Sequence, residues 1–281
     1  MIELNRIYNE DCLEGMKRIP DGFVDLTVTS PPYDNLRAYN GNIEQWSFEK
    51  FQGIAKELYR VTKQGGVVVW VVGDKTVNGS EELIPYKQCL YFQSIGFNVW
   101  DTMIYQKEFC PFPANVRYNQ QFEFMFVFSK GKVKTFNPIK ESKSKKEVEK
   151  ILKGQINVAS KSYRSKTGET NRADSDDRML KRLQKSVTCT EKTMGNVWKI
   201  NAGYMVGSKD KIAFEHPATF PEELAEKHII SWSNEGDLIF DPFMGSGTTA
   251  KMARLNNRNY IGFEISPEYC DIAEKRLEQI R

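Results

Sequence analysis

The chain has 281 residues, of which 40% are hydrophobic and 12% aromatic, so it is long enough to bury a sizeable core. No apolar run approaches the ~20 residues that cross a bilayer, and the first residues are too acidic for a signal peptide. The five cysteines are scattered and form no C-x-x-C pair, which argues against a disulfide framework or a zinc site. These features predict an ordinary cytoplasmic globular protein with no metal.

The basic charge is concentrated in one segment. The net charge of the chain is +3, but residues 131–195 hold 17 Lys and Arg against 8 Asp and Glu, a net of +9, which leaves 23 against 29, or −6, elsewhere. Contacts from Lys and Arg to phosphates supply most sequence-independent affinity for nucleic acid, so the segment suggests a polyanionic partner. A solvated, partly disordered loop would have the same composition, and both interpretations stay open at this point.

Helical and strand patterns alternate over the first 130 residues. Strand RIYN, helix DCLEGMKRI, strand VDLTVTS and helix SFEKFQGIAKELYRVT lead into the continuous apolar strand QGGVVVWVVGD. Helix ELIPYKQCLYFQSIG precedes two β-rich segments, FNVWDTMIYQK and QQFEFMFVFSKG, which could pair antiparallel at the sheet edge. In the latter segment Phe122, Phe124, Phe126 and Phe128 alternate on one face and predict ordinary sheet core.

The alternation breaks down from about Lys130 and resumes near residue 196. The intervening sequence is polar, serine-rich and without strong periodicity, which predicts an insertion over residues 131–195. After it come helix PEELAEKHIISWS, strand GDLIFD, helix AKMARLNN, strand NYIGFEIS and helix PEYCDIAEKRLEQI, a clear βαβα ending. The core domain is therefore predicted to comprise residues 1–130 and 196–281.

The tetrapeptide Ser30-Pro31-Pro32-Tyr33 follows directly after the second predicted strand. Proline has no backbone donor and biases the preceding residue toward an extended conformation. The tetrapeptide therefore predicts a rigid, exposed strand exit, which can hold a ligand.

The stretch DPFMGSGTT, from Asp241 to Thr249, predicts a nucleotide-type turn between a strand and a helix. Its two glycines let backbone N–H groups approach a ligand, and Thr248 and Thr249 are candidate helix caps. It matches neither the phosphate-binding pattern G-x-x-x-x-G-K-[ST] nor the dinucleotide pattern G-x-G-x-x-G. The acid at the strand end suits a positive charge, and Glu264, ending the next strand, suits ribose hydroxyls. S-adenosylmethionine, an adenosine with a cationic tail that carries no phosphate, fits both.

These motifs in this order resemble the permuted, or beta-class, site-specific DNA amino-methyltransferases. Asp11-Cys12 resembles an acidic pair near the adenine in that family, HPATFP resembles its other cofactor-side motif, and NQQFEFMFVFSKG its edge strand. The resemblance implies a Rossmann-like α/β fold with seven strands, mostly parallel with one antiparallel edge strand, and a target-recognition insertion. It implies catalytic roles for Ser30, Pro31, Pro32 and Tyr33. It implies cofactor contacts from Asp11, Cys12, Ser30, His216, Pro217, Ala218, Phe220, Asp241, Pro242, Phe243, Gly245, Ser246, Gly247, Thr248, Thr249 and Glu264.

The implied reaction moves a methyl group from S-adenosylmethionine to the exocyclic N4 of cytosine or N6 of adenine in double-stranded DNA. Such an amine is a poor nucleophile because its lone pair is delocalised, and in a duplex the base must first leave the stack. Tyr33 would stack on the extruded base, while the Ser30 hydroxyl and the Pro31 carbonyl would accept hydrogen bonds from the amine. The site would supply mainly orientation and electrostatics.

By resemblance, a serine at the first position of the tetrapeptide favours cytosine N4, but a hydroxyl or a carboxylate can accept from either amine, so adenine N6 stays open. RNA and protein-glutamine methyltransferases are less favoured alternatives. A cognate restriction endonuclease, in a restriction-modification system, and a homodimer are possible partners. We expect His216 to pack near the cofactor rather than act as an acid or base. Candidate phosphate contacts in the insertion are Lys145, Lys146, Arg164, Lys166, Arg172 and Arg178.

Overall fold

The computed structural model describes residues 2–32, 46–107, 117–144, 147, 191–201 and 206–280. The chain divides into two compact units, one formed by Met1–Asn137 with Asn196–Arg281 and the other by Pro138–Gly195. Within the described ranges, no helix is long and apolar enough to cross a membrane.

The elements follow the predicted alternation closely. The strands are β1 (Arg6–Asn9), β2 (Val24–Thr29), β3 (Thr62–Val72), β4 (Thr76–Val77), β5 (Ser80–Glu81), β6 (Asn98–Lys107), β7 (Phe122–Ser129), β8 (Lys140–Ser142), β9 (Glu191–Thr193), β10 (Val197–Ile200), β11 (Leu238–Asp241) and β12 (Asn259–Glu264). The helices are α1 (Cys12–Met16), α2 (Phe48–Val61), α3 (Ile84–Ser94), α4 (Glu222–Trp232), α5 (Thr248–Leu255) and α6 (Pro267–Glu278), with a 3-10 turn at Lys211–Glu215.

An eight-stranded sheet forms the centre of the first unit, in the order β1-β12-β11-β2-β3-β7-β6-β10. Strands β1, β12, β11, β2 and β3 are parallel, and β7 runs antiparallel to both β3 and β6. The α/β class and the mostly parallel sheet predicted from the sequence are confirmed, as is the antiparallel pairing of β6 with β7.

The strand count and the position of the antiparallel strand differ from the prediction. Strand β10 pairs parallel with β6 and adds an eighth strand beyond it, so β7 lies inside the sheet rather than at its edge. Strand β10 has only four residues, and only Trp198 and Ile200 of these are buried. So short a half-buried strand carries too weak a periodic signal to be recognised beside a polar insertion.

The periodic patterns bury the core as expected. Helix α2 begins after Ser47, whose hydroxyl accepts a hydrogen bond from the Lys50 N–H, and its apolar residues recur every three or four positions to face the core. In β7 the rings of Phe122, Phe124, Phe126 and Phe128 follow one another with centroids 5.2–5.9 Å apart. The predicted phenylalanine stripe is therefore one continuous ladder on one face of the sheet, but the prediction that all of it is core is wrong for Phe122, which is exposed at the start of the strand, while Phe126 and Phe128 are buried.

The first unit extends beyond the composition change at Lys130. The Lys134 N–H donates to the Gly65 carbonyl, and the Asn137 N–H donates to the Ser231 carbonyl, at 3.1 and 2.8 Å. These bonds tie residues 131–137 to the sheet and to α4. The compact second unit therefore starts at Pro138, although the polar composition of the insertion begins earlier.

The second unit is described at residues 138–144, 147 and 191–195. Strands β8 and β9 pair antiparallel, and Lys192 forms ion pairs with Glu141 and Glu147 at 3.3 and 2.6 Å. These pairs are solvent-exposed and contribute little stability. The predicted phosphate contacts Lys145 and Lys146, and the four arginine and lysine candidates after them, lie outside the described residues.

His228 in α4 is a buried group that titrates differently in the folded and unfolded chain. Its Nε2 lies 3.3 Å from the Met125 Sδ, and its ring centroid lies 4.6 Å from that of Trp198. The side chain has no solvent exposure, and burial lowers the pKa of His228 to about 3. The folded protein therefore holds this imidazole neutral, in a structural position inside a helix.

We expect acid to destabilise the fold through His228. The unfolded imidazole takes up a proton below its ordinary pKa of about 6.5, whereas the folded one does so only near pH 3, so stability is lost as pH falls between these values. The free energy of unfolding is measured by urea denaturation for the wild type and for His228→Gln at pH 7.5 and 5.5. Between these two pH values the wild type should lose about 1.4 kcal/mol more stability than the variant. An unchanged difference would show that His228 does not carry this linkage.

Candidate functional site

Three adjacent strands end at the same edge of the sheet with the residues predicted to form the site. Strand β2 leads into Ser30, β11 ends at Asp241 and β12 ends at Glu264. The order β12-β11-β2 makes these ends neighbours, as Phe240 pairs with Thr27 and Asp241 with Gly262. Ligands of open α/β sheets bind outside the carboxyl ends of the strands, so this edge is the candidate site.

The first three residues of the tetrapeptide occupy the exit of β2. Pro31 is buried, while Ser30 and Pro32 are half-buried. The strand is held on its two sides by β11 and β3, so the exit is fixed by the sheet as well as by the two prolines. Tyr33, the fourth predicted catalytic residue, lies outside the described residues.

Asp241 is a buried hydrogen-bond acceptor between β2 and α5. Its Oδ1 accepts from the Thr29 hydroxyl at 2.6 Å and from the Phe243 N–H at 3.0 Å, and its Oδ2 accepts from the Thr249 hydroxyl at 2.7 Å. Burial raises the pKa of Asp241 to about 6, although these three hydrogen bonds act to lower it. The carboxylate thus joins the strand exit to the glycine turn while it retains a charge near neutral pH.

Glu264 holds the glycine turn from the side of β12. Its Oε2 accepts from the Gly245 N–H at 2.8 Å, and its Oε1 accepts from the Ser266 N–H at 2.9 Å. Burial raises the pKa of Glu264, against the effect of these backbone donors. Both carboxylate oxygens therefore have donors in the chain, and each retains further lone pairs for a ligand's hydroxyl groups.

The turn itself depends on two glycines with left-handed backbone conformations. Gly245 has φ +51°, and Gly247 has φ +79° and would place an added Cβ 2.7 Å from that of Ala273. Gly247 is the N-cap of α5. The prediction that Thr248 and Thr249 cap this helix is wrong, because Gly247 occupies the cap position and the two hydroxyls bond elsewhere, to Arg276 and to Asp241.

The remaining residues of the turn are fixed by packing. Phe243 contacts Trp46 edge-on, with ring centroids 5.5 Å apart, and the Met244 N–H donates to the Phe263 carbonyl at 2.8 Å. Pro242 and Ser246 are buried. The turn is thus attached to β12 through its backbone and to the core through an aromatic ring.

The HPATFP segment lies against this turn. An added Cβ at Gly245 would be 3.1 Å from Nε2 of His216, whose Nδ1 accepts from the Ala218 N–H at 3.1 Å and whose ring packs edge-on against Tyr269. Pro217 is exposed and Phe220 half-buried. His216 thus packs between the glycine turn and Tyr269, and its place near the cofactor stays a prediction.

Asp11 and Cys12 lie at the start of α1, just beyond β1. Asn9 in β1 is in register with Glu264, so these residues reach the same edge of the sheet. Asp11 caps α1 through the Leu13 N–H at 2.8 Å and pairs with Lys50 at 2.7 Å. Burial would raise the pKa of Asp11, but these two partners outweigh it and lower the pKa.

The thiol of Cys12 is chemically inert in this position. Burial raises its pKa to about 12, so it stays protonated and is a poor nucleophile. In the described part of the chain, no group of three or more His, Cys, Asp and Glu is placed to hold a metal ion. The arrangement offers hydrogen bonds, two carboxylates and a fixed strand exit, which suits binding and orienting an already activated substrate.

Several residues that support the site were not predicted. Thr29 bonds Asp241, and Lys50 bonds Asp11. Arg276 in α6 is fully buried and contacts the glycine turn at Ser246. A sequence signal for Arg276 exists, because it continues the apolar stripe of α6, where a charged residue at a buried position requires buried partners.

Comparisons with known proteins agree with this geometry. A profile of the DNA methylase family matches residues 24–275. The chain is similar to the orphan methyltransferase M.BamHII of Bacillus amyloliquefaciens, with 55% identity over 263 residues that cover 93% of this chain and 91% of that protein. It is 31% identical over 279 residues to the type II methyltransferase M.BglII of Bacillus subtilis, covering 98% of this chain and 69% of that protein.

Two solved structures share the fold. The cytosine-N4-specific PvuII DNA methyltransferase has a TM-score of 0.67 at 19% identity, covering 96% of this chain and 85% of that one. TTHA0409 of Thermus thermophilus, a putative DNA modification methylase complexed with S-adenosyl-L-methionine, has a TM-score of 0.62 at 23% identity, covering 98% of this chain and 95% of that one. At these identities the likeness concerns the fold alone.

We expect Asp241 to make binding of S-adenosylmethionine, the cofactor predicted from the sequence, dependent on pH. An ionised carboxylate favours a cationic ligand, so affinity should fall up to about tenfold as pH drops from 7 to 5 through its pKa of about 6. Asp241→Asn retains an oxygen for Thr29 and for the Phe243 N–H but cannot ionise. Calorimetric titration should show weaker binding by the variant at pH 7 and the loss of this pH dependence. If the variant showed the same pH dependence of binding, the group that titrates would be a residue other than Asp241.

Proposed function

The chain belongs to the N6/N4 DNA methylase family, and we propose that it transfers a methyl group from S-adenosylmethionine to the exocyclic N4 of cytosine in double-stranded DNA. The observation that carries the proposal is the position of Ser30 and Pro31. They leave β2 directly beside the Asp241 turn, with Thr29 bonded to that carboxylate. A methyl acceptor bound at the strand exit would therefore lie next to a methyl donor bound at the turn.

In this proposal each of the strand ends binds a different part of the two ligands. Glu264 binds the ribose hydroxyls, and the turn from Asp241 to Thr249 holds the rest of the cofactor, with its cationic part near Asp241. His216 packs against the turn at Gly245. Asp11 and Cys12, at the end of β1, lie on the adenine side, as the family resemblance implies.

The base is held at the β2 exit. The Ser30 hydroxyl and the Pro31 carbonyl would accept hydrogen bonds from the amino group, which localises its lone pair and directs it at the sulfonium methyl. As the N–C bond forms, the S–C bond would break to release S-adenosylhomocysteine, and the amine would lose one N–H proton to solvent. The methyl donor is already activated by its positive charge, so the protein supplies position and electrostatics rather than a covalent nucleophile. Because an amino group paired within the duplex is not accessible, we infer that the cytosine is flipped out of the helix and stacks on Tyr33.

Serine at the first position of the tetrapeptide supports cytosine N4, through the family resemblance. The hydroxyl can accept a hydrogen bond from either amine, so adenine N6 is the alternative within the same chemistry. We assign target recognition to the basic insertion, because DNA is a polyanion and the segment holds the chain's excess of positive charge. DNA as substrate also favours the cytoplasmic location predicted from the sequence.

A cognate restriction endonuclease and a homodimer remain predictions. M.BglII is named a type II methyltransferase, whereas M.BamHII is named an orphan methyltransferase, so the names of the relatives support opposite expectations for an endonuclease partner.

The proposal predicts a specific mark on DNA. The chain is expressed in a bacterial host that lacks DNA methylation, and the genomic DNA is sequenced by a method that reports modified bases at single-nucleotide resolution. We expect N4-methylcytosine at one short motif, and we expect Ser30→Ala with Tyr33→Ala to abolish it. Ser94→Ala, which removes a hydroxyl bonded to the Tyr91 carbonyl at the end of α3, should leave the mark intact.

Three other outcomes would change the proposal. N6-methyladenine at one motif would change the proposed target base to adenine and leave the proposed cofactor and catalytic residues unchanged. A mark that persists in the double variant would remove the tetrapeptide from catalysis. The absence of any mark, with intact binding of S-adenosylmethionine, would exclude DNA in favour of RNA or protein.

A further inference from the structure

We propose that Arg276 is a positioning residue for the cofactor turn, which it holds in the conformation that binds S-adenosylmethionine. The inference rests on the proposed function of that turn. Arg276 lies in α6, outside every motif recognised in the sequence, and its side chain is 0% exposed.

The guanidinium is bonded to the turn at both sides of Gly247. Its Nη1 donates to the Ser246 carbonyl at 2.5 Å, to the Ser246 hydroxyl at 3.1 Å and to the Thr248 hydroxyl at 3.0 Å. Gly247 has the left-handed φ of +79° that lets the chain enter α5. Arg276 therefore fixes the carbonyl before the left-handed residue and the first side chain after it.

The other donors of the guanidinium bind two half-buried acids, and Nη2 also donates to the Ser208 hydroxyl at 3.3 Å. Its Nε donates to the Asp210 carboxylate at 2.9 Å and its Nη2 to the Glu222 carboxylate at 2.7 Å. Lys251 contacts the same oxygen of each acid, at 2.7 Å in both cases. The network thus contains two cations and two anions, so its net charge is zero. Its four residues come from α4, α5, α6 and the segment before the 3-10 turn.

This arrangement gives Arg276 a role that packing alone does not require. A buried cation needs full compensation, and the two carboxylates would supply it without any contact to the turn. Instead, the planar guanidinium directs its Nη1 entirely at Ser246 and Thr248. Glu264 accepts from the preceding residue of the turn, through the Gly245 N–H. Successive residues of the turn are therefore fixed by an acid that we propose to bind the ribose and by an arginine with no solvent exposure.

Arg276 touches no substrate in this arrangement, so its loss should weaken cofactor binding rather than slow the chemical step. We expect Arg276→Met to raise the Kd and the KM for S-adenosylmethionine about tenfold or more, the equivalent of one charge-assisted hydrogen bond, with kcat at saturating cofactor within about threefold of wild type. Binding is measured by calorimetry without DNA, and thermal unfolding is recorded in parallel.

Two further variants separate positioning from loss of stability. Arg276→Lys keeps the charge of the network but replaces the five donors of the planar guanidinium with three donors of an ammonium group, so it should retain part of the affinity. It also tests the positioning role if Arg276→Met does not fold. Arg254→Met is the matched control, because Arg254 also joins α5 to α6, by a 3.1 Å bond to the Leu277 carbonyl, without contacting the turn. It should leave the Kd unchanged.

The proposal is overturned if both Arg276 variants bind S-adenosylmethionine within about twofold of wild type while only their melting temperatures fall, or if kcat falls and KM does not. An equal loss of affinity in Arg254→Met would also overturn it, because the effect would then belong to helix packing. The Kd values do not depend on which base is methylated, since binding is measured in the absence of DNA. Failure of the wild type itself to bind the cofactor would instead refute the proposed function.

Discussion

The buried carboxylate of Asp241 joins the two halves of the site. It accepts hydrogen bonds from Thr29, the last residue before the tetrapeptide, and from Thr249, in the first turn of α5. A buried acid without such donors would cost free energy, whereas with them it fixes the strand exit relative to the glycine turn. In the proposed function the transfer of a methyl group between two ligands depends on this spacing, and neither threonine was predicted to connect the strand exit to the turn.

The glycine turn is fixed by two charged side chains. Glu264 accepts from its Gly245 N–H, and Arg276 donates to Ser246 and Thr248. A loop with two left-handed glycines has much conformational freedom to lose, and these contacts restrict it within the folded chain, which in the proposed function prepares it for the cofactor. Such preorganisation suits an enzyme whose methyl donor needs orientation more than activation.

The sequence predicted most of the fold because its helices and strands carry strong periodic signals. Strands β2, β3, β11 and β12 read as apolar runs, and the alternating phenylalanines of β7 predicted a strand, although Phe122 is exposed and Met125 and Val127 on its other face are buried as well. Strand β10 was missed because it is four residues long and half exposed. Its place beside β6 is decided by a pairing between segments far apart in the chain, which local periodicity cannot show, and this pairing moves β7 away from the edge.

Within the site, the sequence by itself determined the motifs and their order, because residue types such as Ser-Pro-Pro or paired glycines have local conformational consequences, and the order of the motifs carries the family resemblance that implies the reaction. Only the tertiary structure decided which side chain bonds to which. Thr249 has the chemistry of a helix cap but bonds Asp241, and Thr29 bonds an acid 212 residues away. Arg276 finds its partners on α4, α5 and two loops. Hydrogen-bond partners are chosen by distance in the folded chain, and that distance exists only once the strands have paired and the helices have packed.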